Sequence, residues 1–216
     1  MSELRQRGFM VTDGPFAINE IAEVAEDYDR SLALTPDAQI KRGRTSTRWG
    51  GLVVLKTFYR IYSHPPLLNV ASERIGGSMT LSSFHARTLL PNVAAEPPHQ
   101  DVAPGADGYP LVGFIFMVDE FRFENGATRF IAGSQNGPRP SADAIACNAC
   151  GRAGSILIFD GTTWHGHGAN RTGLPRRSIQ GAFIPRNHTA AWRWTDELSV
   201  AQANGLPADA RRLLSL

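Results

Sequence analysis

Between Gly154 and Phe183 the sequence GSILIFDGTTWHGHGANRTGLPRRSIQGAF leaves little choice of local structure. Ser155 to Phe159 is a β-branched and apolar run closed by Asp160-Gly161, which reads as a strand ending in a turn. Trp164-His165-Gly166-His167-Gly168 follows, with glycines that let the main chain pass close to a bulky neighbour. From Arg176 onward the residues alternate. Arg176, Ser178 and Gln180 fall on one side of an extended chain, and Arg177, Ile179 and Gly181 on the other. A strand with a polar inward set predicts a lined cavity.

A second cluster of metal-binding side chains stands upstream. Pro97-Pro98-His99-Gln100-Asp101 places an imidazole and a carboxylate two positions apart, on one side of an extended segment. With one distant histidine they would complete a facial triad of two His and one carboxylate, the donor set suited to non-haem Fe(II) with open positions. His165 and His167 both compete for the third place. A histidine beside a turn is also an ordinary surface residue, and a single His-x-Asp spacing arises easily by chance.

The ordered combination is what resembles a known family. His99-x-Asp101, then Asn125-Gly126-Ala127-Thr128-Arg129-Phe130 with Gly133-Ser134, then Trp164-His165-Gly166 with Asn170-Arg171-Thr172-Gly173 and Pro175-Arg176, together look like the phytanoyl-CoA dioxygenase family. The resemblance runs from about Gly8 to the C-terminal tail. It implies a mainly β fold with flanking helices, a double-stranded β-helix or cupin-like jelly roll. Sequence pattern alone leaves an α+β fold open. It further implies Fe(II) held by His99, Asp101 and His165, with 2-oxoglutarate and O2 as co-substrates and hydroxylation of a small organic molecule as the expected outcome. Arg176 would grip the far carboxylate of 2-oxoglutarate, because a guanidinium offers two parallel donors to a carboxylate. His167, where the family carries a small residue, is assigned to cofactor contact or to the surroundings of the metal. Thr88 is a further cofactor candidate. Related halogenases lack the carboxylate that Asp101 supplies, so halogenation is not expected. The rival readings are a cupin-like metal enzyme that does not use 2-oxoglutarate and a non-catalytic jelly-roll binding module.

Length bounds the architecture: 216 residues are most economically one domain, 1–216, able to bury a continuous core without staples. A formal charge of +2 is too small to imply nucleic acid as a partner. No apolar run is long enough to span a membrane, and Met1 to Arg7 lacks the apolar core of a secretory signal, so a cytoplasmic protein, monomeric or homo-oligomeric, is expected. Cys147 and Cys150 form an isolated Cys-x-x-Cys with no second pair to complete a zinc site, and read as two loop thiols within a loop from Asn136 to Arg152.

Elsewhere, Gly8 to Val11 predicts an edge strand, and Phe16, Ile18, Ile21, Val24, Ala25 and Tyr28 recur at helical spacing. Lys41 to Gly51 reads as a basic loop, with Arg48 and Trp49 as substrate-binding candidates or simply solvated residues. Met79 to Leu90 predicts a strand on which His85 and Arg87 share one face, and Val112 to Val118 a strand buried on both faces. Asn125-Gly126 predicts a hairpin joining 121–123 to 127–131. Trp164 and Tyr109 are further substrate-lining candidates, and Trp192 to Trp194 with the apolar tail Leu213-Leu214 predict helical closure over the barrel or an oligomer contact.

Overall fold

In the computed structural model, residues 2–102, 110–141 and 143–216 are described; Tyr109 lies outside them. The N-terminal half carries most of the helices: α1 (Ser2–Arg7), α2 (Ile21–Leu34), α3 (Lys56–Tyr62) and α4 (Pro65–Ile75). Proline at the first helical position starts α4, since the missing N–H is not needed there, and Gly76 ends it in a left-handed conformation. Three short helices, α5 (Trp194–Glu197), α6 (Val200–Gly205) and α7 (Ala208–Leu213), follow the last strand. Among the described residues no helix is long and apolar enough to cross a membrane.

The strands are β1 (Phe9–Asp13), β2 (Lys41–Arg42), β3 (Ser46–Trp49), β4 (Met79–Leu89), β5 (Val112–Met117), β6 (Thr128–Phe130), β7 (Cys147–Ala149), β8 (Ser155–Asp160), β9 (His165–His167) and β10 (Arg176–Pro185). They form a seven-stranded sheet in the order β1-β8-β5-β10-β4-β3-β2 and a three-stranded sheet in the order β7-β6-β9, antiparallel throughout. Residues 93–99 run beside β9, with Val93 bridged to Asn170 and His99 bridged to His165.

Period-two geometry divides the large sheet into two jobs. Val112, Phe114, Phe116, Ile156, Ile158 and Ile179 face the helices and join Tyr28, Trp49, Phe58, Tyr62 and Trp194 in one core. Ile115, Met117, Leu157 and Phe159 face the small sheet and pack on Ala127, Phe130 and Ala149. β5 and β8 are therefore buried on both faces, which is why they read as unbroken apolar runs.

Three local expectations are corrected. Lys41 to Gly51 is a two-stranded edge hairpin rather than a loop, with Lys41 opposite Arg48. The expected loop from Asn136 to Arg152 contains β7, which includes Cys147 and pairs with β6. Asn125-Gly126 makes a turn, with Gly126 at φ +81°, but no hairpin. The Asn125 side chain instead accepts from the Arg122 N–H and donates to the Glu120 carbonyl, closing a local loop, and β6 pairs with β7 and β9.

Candidate metal centre and its cavity

The centre is built on main-chain pairing. His99 N–H donates to the His165 carbonyl at 2.8 Å and His165 N–H returns a bond to the His99 carbonyl at 2.9 Å, so the two imidazoles belong to one cross-strand pair. Their rings lie 4.6 Å apart. Asp101 N–H donates to the Gly161 carbonyl at 2.8 Å, which ties the carboxylate to the turn immediately before His165. That turn is held by Asp160: one oxygen accepts from the Thr162 N–H and hydroxyl, and the other accepts from Arg74 Nε at 2.7 Å.

The result is a convergence of three donors. Asp101 Oδ1 lies 3.7 Å from His99 Nε2 and 3.8 Å from His165 Nε2, and the donor atoms of the three residues fall within 4.8 Å of one another. His165 Nδ1 sits 2.8 Å from the Thr163 carbonyl, so its N–H donates there and Nε2 presents a lone pair to the centre. The ring is stacked against Phe130 and tilted against Phe159. This burial lowers its pKa, with Asp101 and the Thr163 carbonyl opposing, and favours the neutral imidazole a metal requires.

His167 points into the same cavity but joins a different group. Its Nδ1–H donates to the Gly168 carbonyl at 2.8 Å, while Nε2 lies 3.9 Å from a Glu96 oxygen. Glu96 in turn sits 3.7 Å from Arg87. Burial alone would raise the Glu96 carboxyl, but Arg87, His99 and His167 outweigh it and hold the pKa below the usual value. Glu96 had no warning in the sequence beyond a lone charge ahead of a diproline.

Arg176 is only 2% exposed, with its guanidinium 3.6 Å over the Phe121 ring, and its Nε and one terminal nitrogen have no hydrogen-bond partner among the described residues. Desolvation, helped by Arg87, pushes its pKa down to about 9. Burying a cation without a partner is expensive unless an anion joins it. Its neighbour Arg177 faces the helices and is saturated by Asp119 and Asp29. A cavity of about 330 Å³ is lined by His99, Asp101, His165, His167, Arg176 and Arg87, among others. The donor set and the unpaired buried guanidinium fit Fe(II) and a dicarboxylate respectively.

Arg48 also lines this cavity. Three other candidates are not brought there. Thr88 lies on the helix-facing side of β4, where its hydroxyl bonds Tyr28. Trp49 is a core residue, edge-on to Tyr28 and donating to Ser31. Trp164 occupies a neighbouring cleft with Arg129 and Arg139, its indole N–H directed at the Gly137 carbonyl. In each case the parity of an adjacent residue that does reach the cavity, Arg87, Arg48 or His165, turns the candidate away.

Residues 4–178 match the phytanoyl-CoA dioxygenase (PhyH) family profile. The chain is similar to dioxygenase andF of Emericella variicolor, 27% identical over 191 residues covering 80% of this chain and 67% of that protein. It is 36% identical to dioxygenase cdmA of Talaromyces verruculosus over 193 residues, 79% of this chain and 64% of the relative. It spans about half to two thirds of the length of andF and of several other curated relatives it matches. In fold it resembles the epimerase SnoN in complex with Fe3+, alpha ketoglutarate and nogalamycin RO, with a TM-score of 0.71, 20% identity, and coverage of 95% of this chain and 91% of the other. The two antiparallel sheets with flanking helices are thus a double-stranded β-helix.

Proposed function

The chain belongs to the phytanoyl-CoA dioxygenase family, and from that premise we propose that it is an Fe(II)- and 2-oxoglutarate-dependent oxygenase that hydroxylates a small organic substrate. The carrying observation is the meeting, in one cavity, of the His99, Asp101 and His165 donors with the unpaired, buried Arg176. Iron bound there would supply the oxidising chemistry, with 2-oxoglutarate decarboxylated to succinate as the substrate is oxidised.

The protein's own part is to bind, orient and shield. His99 and His165 hold their rings through the paired main chain, and the Thr163 carbonyl fixes the His165 tautomer. Asp101 contributes the negative charge of the donor set. Arg176 takes the far carboxylate of 2-oxoglutarate through two parallel N–H donors, and that anion restores the charge balance that burial disturbs. Phe130 and Phe159 close the side of His165 against water.

Anaerobic addition of Fe(II) and 2-oxoglutarate is expected to give a visible metal-to-ligand charge-transfer band, followed by succinate release when a substrate panel is screened in air. Arg176→Leu is expected to raise the 2-oxoglutarate concentration needed by about tenfold or more while iron binding persists. His165→Ala is expected to lose the iron and His167→Ala to retain it. Iron retention by His165→Ala with loss in His167→Ala would overturn the ligand assignment.

A further inference from the structure

A row of three cations crosses the outer part of the large sheet. Lys41 on β2 is the direct partner of Arg48 on β3, and Arg48 the direct partner of Arg87 on β4. Direct partners share a face, and Arg48 and Arg87 line the cavity wall. Like charges set directly opposite one another in a sheet repel. Among the described residues little offsets them: Glu96 reaches only Arg87, at 3.7 Å, and Asp37 pairs with Arg42 instead.

His85 stands two residues before Arg87 on the same face of β4, opposite Gln180 of β10. Both of its ring nitrogens are closed to solvent without a hydrogen-bond partner, as are Nε and one terminal nitrogen of Arg87. Burial, then Arg48 and Arg87, push the His85 pKa down to about 4, Gln180 weakly opposing. At neutral pH the ring is therefore an uncharged donor-acceptor.

We propose that Arg48, Arg87 and His85, backed by Lys41, form a second anion subsite that receives an acidic group, a carboxylate in the first instance, on the oxidised substrate. The inference rests on the cofactor reading above, in which buried Arg176 takes the 2-oxoglutarate carboxylate and leaves this row, exposed at Lys41 and Arg48 and buried at Arg87, for another acid. The enzyme's substrate class is then an acidic small molecule, anchored by its anion at Arg48 and presented toward His99, Asp101 and His165. Anion binding relieves the repulsion in the row and satisfies the orphaned nitrogens of Arg87.

Calorimetric titration of the anaerobic protein, with and without Fe(II) and 2-oxoglutarate, using benzoate and its uncharged counterpart benzamide as probes, tests this. Benzoate is expected to bind and benzamide to bind about tenfold more weakly, with Arg48→Gln lowering benzoate affinity about tenfold and Arg48→Lys restoring part of it. The Arg48 side chain is exposed, on the strand next to the sheet edge, so the variant keeps the fold, and 2-oxoglutarate affinity is expected to stay unchanged. Equal binding of the two probes, no benzoate binding at tens of millimolar, or a parallel loss of 2-oxoglutarate affinity in Arg48→Gln would each overturn the subsite, the last by giving the row to the co-substrate. Failure of the underlying reading looks different: 2-oxoglutarate does not bind the Fe(II) protein, while Arg48-dependent benzoate binding survives.

Discussion

Parity decides the fate of residues here more than identity does. Arg176 and Arg177 are the same amino acid one step apart, yet one is an unpaired cation inside the cavity and the other is locked to Asp119 and Asp29 outside it. The alternation of Arg176, Ser178 and Gln180 made this legible in the sequence, as it did for His85 and Arg87. Thr88 and Trp49 lie on the opposite side because each is one step from a cavity-facing arginine, and the charged segment 46–49 carries no strand signal to reveal its parity. His85 carries a pH consequence of its own. Its pKa is about 4 in the folded protein against an unfolded value near 6.5, so between those values the unfolded chain binds a proton that the native protein does not. Stability is therefore expected to be unaffected by His85 above about pH 6.5 and to fall as the pH drops toward 4, by at most ~1.4 kcal/mol per pH unit. Urea unfolding of the wild type and His85→Gln across that window checks this, the variant giving the shallower slope.

At the level of elements, the turn from Asp160 to Trp164 positions two of the three donors, Asp101 through the Gly161 carbonyl and His165 through the chain itself. Asp160 is 3% exposed and accepts from Thr162 and Arg74. Asp160→Ala is expected to cost about 3 kcal/mol of unfolding free energy, because it strips a buried carboxylate from its partners. It is also expected to weaken iron binding, whereas Asp160→Asn, retaining the bonds to Thr162, loses less of both. Chemical denaturation and metal titration of the two variants measure it. Strands β4, β5, β8 and β10 and helix α2 were legible because long, strongly patterned segments state their own type. The edge hairpin β2-β3 and the short strand β7 were not, since charged residues and cysteines lack strand signal and sheet pairing alone makes them strands. Asn125-Gly126 announced its turn correctly but not the partners of β6, which come from residues 147–149 and 165–167 later in the chain.

Across the whole molecule, one core joins residues from Val24 to Leu214 on the helical side of the large sheet. A single unfolding transition, coincident by tryptophan fluorescence and far-ultraviolet circular dichroism, is the expected outcome. Close fit at one glycine helps hold that core together. A Cβ at Gly181 would sit 2.4 Å from the Phe114 ring and 2.9 Å from the Ser83 carbonyl. Gly181→Ala is expected to destabilise by about 2 kcal/mol, lowering Tm by about 4–8 °C in a thermal melt. This constraint was invisible in the sequence, because a glycine in a strand does not say which ring approaches it.

The bridge between His99 and His165 has a consequence for biosynthesis. β5, β6, β7 and β8 all lie between the two histidines in the chain, so their bridge is a long-range contact that closes late in synthesis. A growing or truncated polypeptide holding only His99 and Asp101 offers two of the three donors. Under the ligand assignment proposed above, iron capture becomes a proofreading event, reserved for molecules whose small sheet has already shut.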